Sequence, residues 1–78
     1  MAVQAYILVH TEVGKAAEVA RAIDAVDGVL RSDDVTGPYD VIVRAEAATV
    51  DALDQMVRAQ VRGIPGITKA VTCPVVHM

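Results

Sequence analysis

The chain has no Phe, no Trp, two Tyr and one Cys among its 78 residues. Without large aromatic side chains, a core has to be assembled from Val, Ile, Leu and Ala, which make up most of the 54% hydrophobic content. A lone cysteine, Cys73, excludes an intramolecular disulfide and a cysteine cage for a metal, and it suits a reducing compartment. Cationic side chains are also few, 7 Lys and Arg against 10 Asp and Glu, for a net charge of -3. Nucleic-acid affinity depends on neutralising phosphates with Lys and Arg, so no direct nucleic-acid partner is expected. No segment approaches the roughly 18 consecutive apolar residues of a membrane span, and the N-terminus lacks the cationic stretch of a secretory signal. The chain reads as soluble and cytoplasmic, with no membrane partner.

Three Pro and five Gly leave no linker or low-complexity run, so residues 1–78 form one domain. A domain this small buries only about 60% of its unfolded surface. So much aliphatic surface in so short a chain points to further burial by oligomerisation.

Along the chain, hydrophobic periodicity changes between two and 3.6 residues. Val3 to His10 alternates as a strand, with Val3, Ala5, Ile7 and Val9 on one face and Gln4, Tyr6, Leu8 and His10 on the other. Between Thr11 and Gly28, a stripe of Ala16, Val19, Ala20, Ile23 and Val26 predicts a helix that Gly28 stops in a left-handed conformation. Val29 to Thr36 carries Arg31, Asp33 and Asp34, which suits an edge strand. The turn Gly37-Pro38 precedes a third strand from Tyr39 to Glu46, with Val41, Val43 and Ala45 inward. Thr49 is placed to cap a second helix whose predicted buried stripe is Val50, Leu53, Val57 and Val61, and Asp54 and Arg58 lie one turn apart on it. Ile64-Pro65-Gly66 ends that helix, and Ile67 to Val76 forms the last strand.

The two halves repeat at an offset of 38 residues, which superposes Val3 on Val41, Val19 on Val57, Ile23 on Val61 and Gly28 on Gly66. Two strand-helix-strand units in succession predict an α+β, ferredoxin-like βαββαβ fold, a four-stranded antiparallel sheet with two helices on one face. The other face would display Tyr6, Leu8 and Ile42. Two copies burying that face against each other form a dimeric α/β-barrel assembly.

With these elements placed, the chain resembles the ligand-binding (RAM) domain of the Lrp/AsnC family of amino-acid-responsive regulators. The resemblance rests on Ala5-Tyr6-Ile7-Leu8-Val9, Gly28-Val29, Thr36-Gly37-Pro38-Tyr39-Asp40 and Ile64-Pro65-Gly66-Ile67. It implies a homodimer that assembles further into tetramers or octamers, with a free amino acid or related small molecule held between dimers. It also implies the site residues: Thr36, Gly37, Tyr39 and Asp40, with Gln60, Thr72, Cys73 and Val75. Only Met1-Ala2 precedes Val3, so the family's helix-turn-helix is not expected, and any effect on transcription would be indirect, for instance by co-assembly with full-length Lrp/AsnC regulators.

Residue types alone leave two readings of Asp40 open. Its carboxylate either hydrogen-bonds its own turn, as Asp does near Gly and Pro, or meets the ammonium of an amino acid whose carboxylate takes the loop N–H groups. Tyr39 roofs the turn or walls a pocket, and Gln60 is a solvated helix residue or a polar contact. Cys73 reads as a small strand hydrophobe with no His spaced to activate it. His10 and His77 are isolated, so no metal site and no cofactor are expected. The function expected is non-catalytic effector binding and oligomerisation. The competing reading is a small dimeric α/β-barrel enzyme of the cofactor-free monooxygenase type, which needs a polar pocket inside each subunit, lined by groups such as His10 or Tyr6.

Overall fold

A computed structural model of the chain describes residues 2–76. It contains β1 (Val3–Thr11), α1 (Ala16–Asp24), β2 (Val29–Asp34), β3 (Val41–Ala47), α2 (Val50–Met56) continued by a π-helical turn (Val57–Val61), and β4 (Ile67–Pro74). The strands form one antiparallel sheet in the order β2-β3-β1-β4, the ferredoxin-like arrangement expected from the repeat. Each half contributes one central strand and one edge strand, and the edge strands are exchanged: β2 pairs with β3, and β4 pairs with β1. No helix of the described residues is long and apolar enough to cross a membrane.

Strand alternation sets the two faces. Ala5, Ile7, Val9, Val41, Val43 and Ala45 point under the helices and are fully buried. Val19, Ala20 and Ile23 of α1 and Leu53, Val57 and Val61 of the second helix close over them. Among the described residues no polar or charged side chain is buried, so the interior is aliphatic throughout. Val50 departs from its predicted place in the buried stripe and is 55% exposed. It directly follows the capping residue Thr49, whose Oγ1 accepts from Ala52 N–H at 3.0 Å, and the stripe begins only at Leu53, one turn further in.

Element ends also shift. β1 runs on to Thr11, and a turn closed by Lys15 N–H to Glu12 O delays the first helix to Ala16. That helix ends at Asp24, before the glycine expected to stop it. Gly28 is left-handed, with φ +94, but it sits where the chain enters β2, and a Cβ there would lie 2.8 Å from Glu46 O. Gly66, its repeat mate, has φ +99 at the entry to β4. β2 stops at Asp34 and β4 at Pro74, so Thr36 and Val75 lie outside the strands they were assigned to.

Candidate functional site

The loop between β2 and β3 is held from within. Val35 N–H donates to Asp40 O at 2.8 Å, and Asp40 N–H donates to Val9 O at 2.9 Å, which joins the loop to the end of β1. The Asp40 carboxylate is half-buried rather than exposed, because Oδ2 accepts from Thr11 N–H at 2.8 Å. It therefore ties the loop to the end of β1 and does not simply bond its own turn. Among the described residues, the N–H groups of Thr36, Gly37 and Tyr39 have no protein acceptor, and Asp40 Oδ1 has no protein donor. One loop thus presents donors for an anion beside an acceptor for a cation. Gly37 is not left-handed and has open space around it, so the loop's shape depends on Pro38 and on the anchors at Asp40 more than on this glycine.

Tyr39 does not stand alone over the loop. Its ring lies 4.5 Å, centroid to centroid, from that of His10 at a 33° tilt. The alternating pattern put His10 on the helix-free face but carried no sign of this contact, which depends on the loop folding back along β1. His77 falls outside the described residues. Among the described residues, no group of three His, Cys, Asp or Glu is placed to hold a metal.

The β4 candidates lie elsewhere in the same protomer. Val75 N–H bonds Gln4 O, whereas Asp40 stands beside His10, six residues along β1, which is about 20 Å at about 3.3 Å per residue. Thr72 pairs with Ile7 and points to the helix side, whereas Cys73 pairs with Tyr6 and is exposed on the open side. Gln60 is exposed on the π-helical turn. Within one copy the loop and Val75 stand at opposite ends of β1, so a ligand touching both has to bridge two copies.

The helix-free face carries Tyr6, Leu8 and Ile42 as expected, with Tyr6 41% and Ile42 36% exposed. It is more ordered and more polar than alternation alone conveys. Arg44 crosses it, with Nη1 donating to Tyr6 Oη at 2.6 Å and Nη2 to Gln4 Oε1, and its guanidinium carbon lies 4.9 Å from the Tyr6 ring centroid. Arg31 stands opposite Arg44 across β2 and β3 and is neutralised by Asp33 at 2.9 Å.

A groove that the sequence pattern of neither element marks alone runs between the second helix and β4. It is lined by Asp54, Val57, Arg58, Arg62, Ala70 and Thr72. The π-helical turn, closed by Arg62 N–H to Val57 O at 2.9 Å, keeps Val57 and Val61 in the core while directing Arg62 at β4. There Arg62 Nη2 makes a long contact of 3.5 Å to Ala70 O.

The profile of the Lrp/AsnC ligand binding domain matches residues 4–78. No curated protein matches the chain. Among solved structures, a hypothetical protein from Pyrococcus horikoshii is 34% identical with a TM-score of 0.88, over 97% of this chain and 92% of that one. The protein named FFRP-DM1 is 35% identical with a TM-score of 0.87, over 95% of this chain and 99% of that one. A transcriptional regulator from Neisseria meningitidis, solved with L-Met, is 24% identical with a TM-score of 0.82, over 95% of this chain and 49% of that one, a likeness of fold.

Proposed function

This chain belongs to the Lrp/AsnC ligand-binding domain family, and from that premise we propose that it is a non-catalytic module that binds a free amino acid and assembles with copies of itself. The observation that carries the reading is the loop of residues 36–40, where open N–H groups stand beside a carboxylate with one oxygen held by Thr11 and the other uncommitted. The N–H groups take the ligand's carboxylate, and Asp40 Oδ1 takes its ammonium. Two charge-assisted contacts at about 1.5–3 kcal/mol each, with modest apolar burial, correspond to micromolar to millimolar affinity. That range suits a sensor of metabolite pools. Support for an effector role also comes from the Neisseria meningitidis regulator of the same fold, which holds L-Met.

Assembly follows from the open sheet face, where Tyr6, Leu8 and Ile42 await cover by a second copy. Joining dimers then sets the loop of one copy against β4 and the second helix of another, so that Thr72, Cys73, Val75 and Gln60 complete the site. The aliphatic interior offers no polar group for catalysis between sheet and helices among the described residues, which favours binding over the monooxygenase-type reading. Control of transcription, in this proposal, passes through mixed assemblies with full-length Lrp/AsnC regulators.

Titration calorimetry with each standard amino acid tests the proposal, using the native chain and Asp40→Asn. The asparagine keeps an acceptor for Thr11 N–H but loses the charge that faces the ammonium. Heat from one or a few amino acids, weakened at least tenfold in the variant, is the expected result. No heat from any amino acid overturns it, as does equal binding by Asp40→Asn.

A further inference from the structure

Building on the reading of loop 36–40 as the amino-acid end of a shared site, we propose that the effector is a dicarboxylic amino acid whose side-chain carboxylate lies in the groove between the second helix and β4, held by Arg58 and Arg62. Thr72, one of the residues expected to touch ligand, lines this groove together with both arginines. The adjoining depression along the same edge adds Lys69. Arg58, Arg62 and Lys69 are three of only seven cationic residues in a chain of net charge -3, and Asp54 is the one acid lining either depression. Asp54 is already engaged by Arg58 at 2.6 Å, and among the described residues Arg62 has no carboxylate partner. The groove is thus a local positive site on an acidic protein.

Backbone geometry adds donors to it. Val75 N–H turns inward to Gln4 O, so by alternation along β4 the N–H and C=O groups of Ala70 and Thr72 face away from β1 into the groove. The Arg62 contact to Ala70 O agrees with this orientation. Thr72 therefore offers its N–H, and its hydroxyl is without a partner among the described residues. Two guanidinium groups one turn apart, an open N–H and a hydroxyl match the planar, multi-donor demands of a carboxylate. An uncharged or basic side chain leaves these charges unanswered or repelled.

The test is calorimetry of the full chain with glutamate, aspartate, glutamine, asparagine, leucine, lysine, glutarate and inorganic phosphate. Glutamate or aspartate is expected to bind at least tenfold more tightly than its amide. Arg62→Gln and Arg58→Gln, both exposed positions, should each weaken binding of the acid far more than binding of its amide and so remove most of that preference. Equal binding of acid and amide, or an undiminished preference in both variants, overturns the inference even when Asp40→Asn still weakens binding, so the parent proposal survives separately. Glutarate or phosphate binding as tightly as glutamate, unaffected by Asp40→Asn, also overturns it, because the groove then takes simple anions. Absence of binding by every amino acid overturns both.

Discussion

Thr11 and Asp40 are 29 residues apart in the chain and joined by a 2.8 Å hydrogen bond from the Thr11 N–H to Asp40 Oδ2. The bond secures the end of β1 against the loop that leads into β3, and it makes one carboxylate both an anchor and a candidate contact for ligand. Loop geometry and affinity are therefore coupled at a single side chain.

Removing that carboxylate should cost stability as well as binding. Asp40→Ala leaves a half-buried N–H without its acceptor and is expected to destabilise the fold by about 1–3 kcal/mol. Asp40→Asn, which retains an acceptor, should lose less than about 1 kcal/mol. Thermal unfolding at one fixed protein concentration checks this, each 1 kcal/mol corresponding to about 4–8 °C in a domain of this size. Equal melting temperatures for native and Asp40→Ala would show that the bond carries no weight.

Gly28 and Gly37 should respond very differently to alanine. At Gly28 the left-handed backbone and the 2.8 Å approach to Glu46 O leave no room for a methyl group, and a loss of at least about 2 kcal/mol is expected. At Gly37 neither constraint exists, so alanine should stay within about 0.5 kcal/mol of native. Urea denaturation of both variants is the measurement, and similar losses at the two positions would contradict the distinction.

Leu8 sits between Ile42 and Val71 on the open sheet face. A glutamate there places one uncompensated charge from each copy into the proposed dimer interface, and the dimer dissociation constant should rise about 100-fold or more, equivalent to about 2.7 kcal/mol. Val13→Glu, at a fully exposed turn position, is the control and should leave assembly unchanged. Light scattering across a dilution series decides it. A native chain that is monomeric at micromolar concentration would rule out the interface altogether.

The 78-residue chain should not retard duplex DNA at physiological salt. Its net charge is -3, and its cationic groove is offset by acids around the rest of the surface. A gel shift that is lost at high salt would show the opposite.

Much of the fold was legible because periodicity is a local property. Alternation in Val3 to Val9 and Val41 to Ala45 identified the buried face, the Thr49 cap marked the second helix, and the 38-residue offset implied the topology. What stayed hidden depends on register between distant segments. Nothing near Asp40 in sequence indicates that Thr11 is its partner, and nothing near Tyr39 indicates His10. The groove was half visible: Asp54, Arg58 and Arg62 recur every four residues, which marks one helix face. Bringing Thr72 to that face required the pairing of β4 with β1 and the widened turn at Val57–Val61.

The exchange of edge strands between the two repeats has a consequence for how the molecule forms. Neither repeat closes its own sheet: β1 waits for β4, and β3 is flanked by β2 from the preceding unit. Pairing of β1 on its second side is therefore not complete until β4, the last strand of the domain, is in place. Folding of the domain is governed by long-range closure, which slows it relative to a helical domain of equal length. The same exchange means that two fragments cut between the repeats, each unfolded alone, should reassemble into one sheet when mixed, and failure to regain β-structure on mixing would show that the halves are not so interlocked.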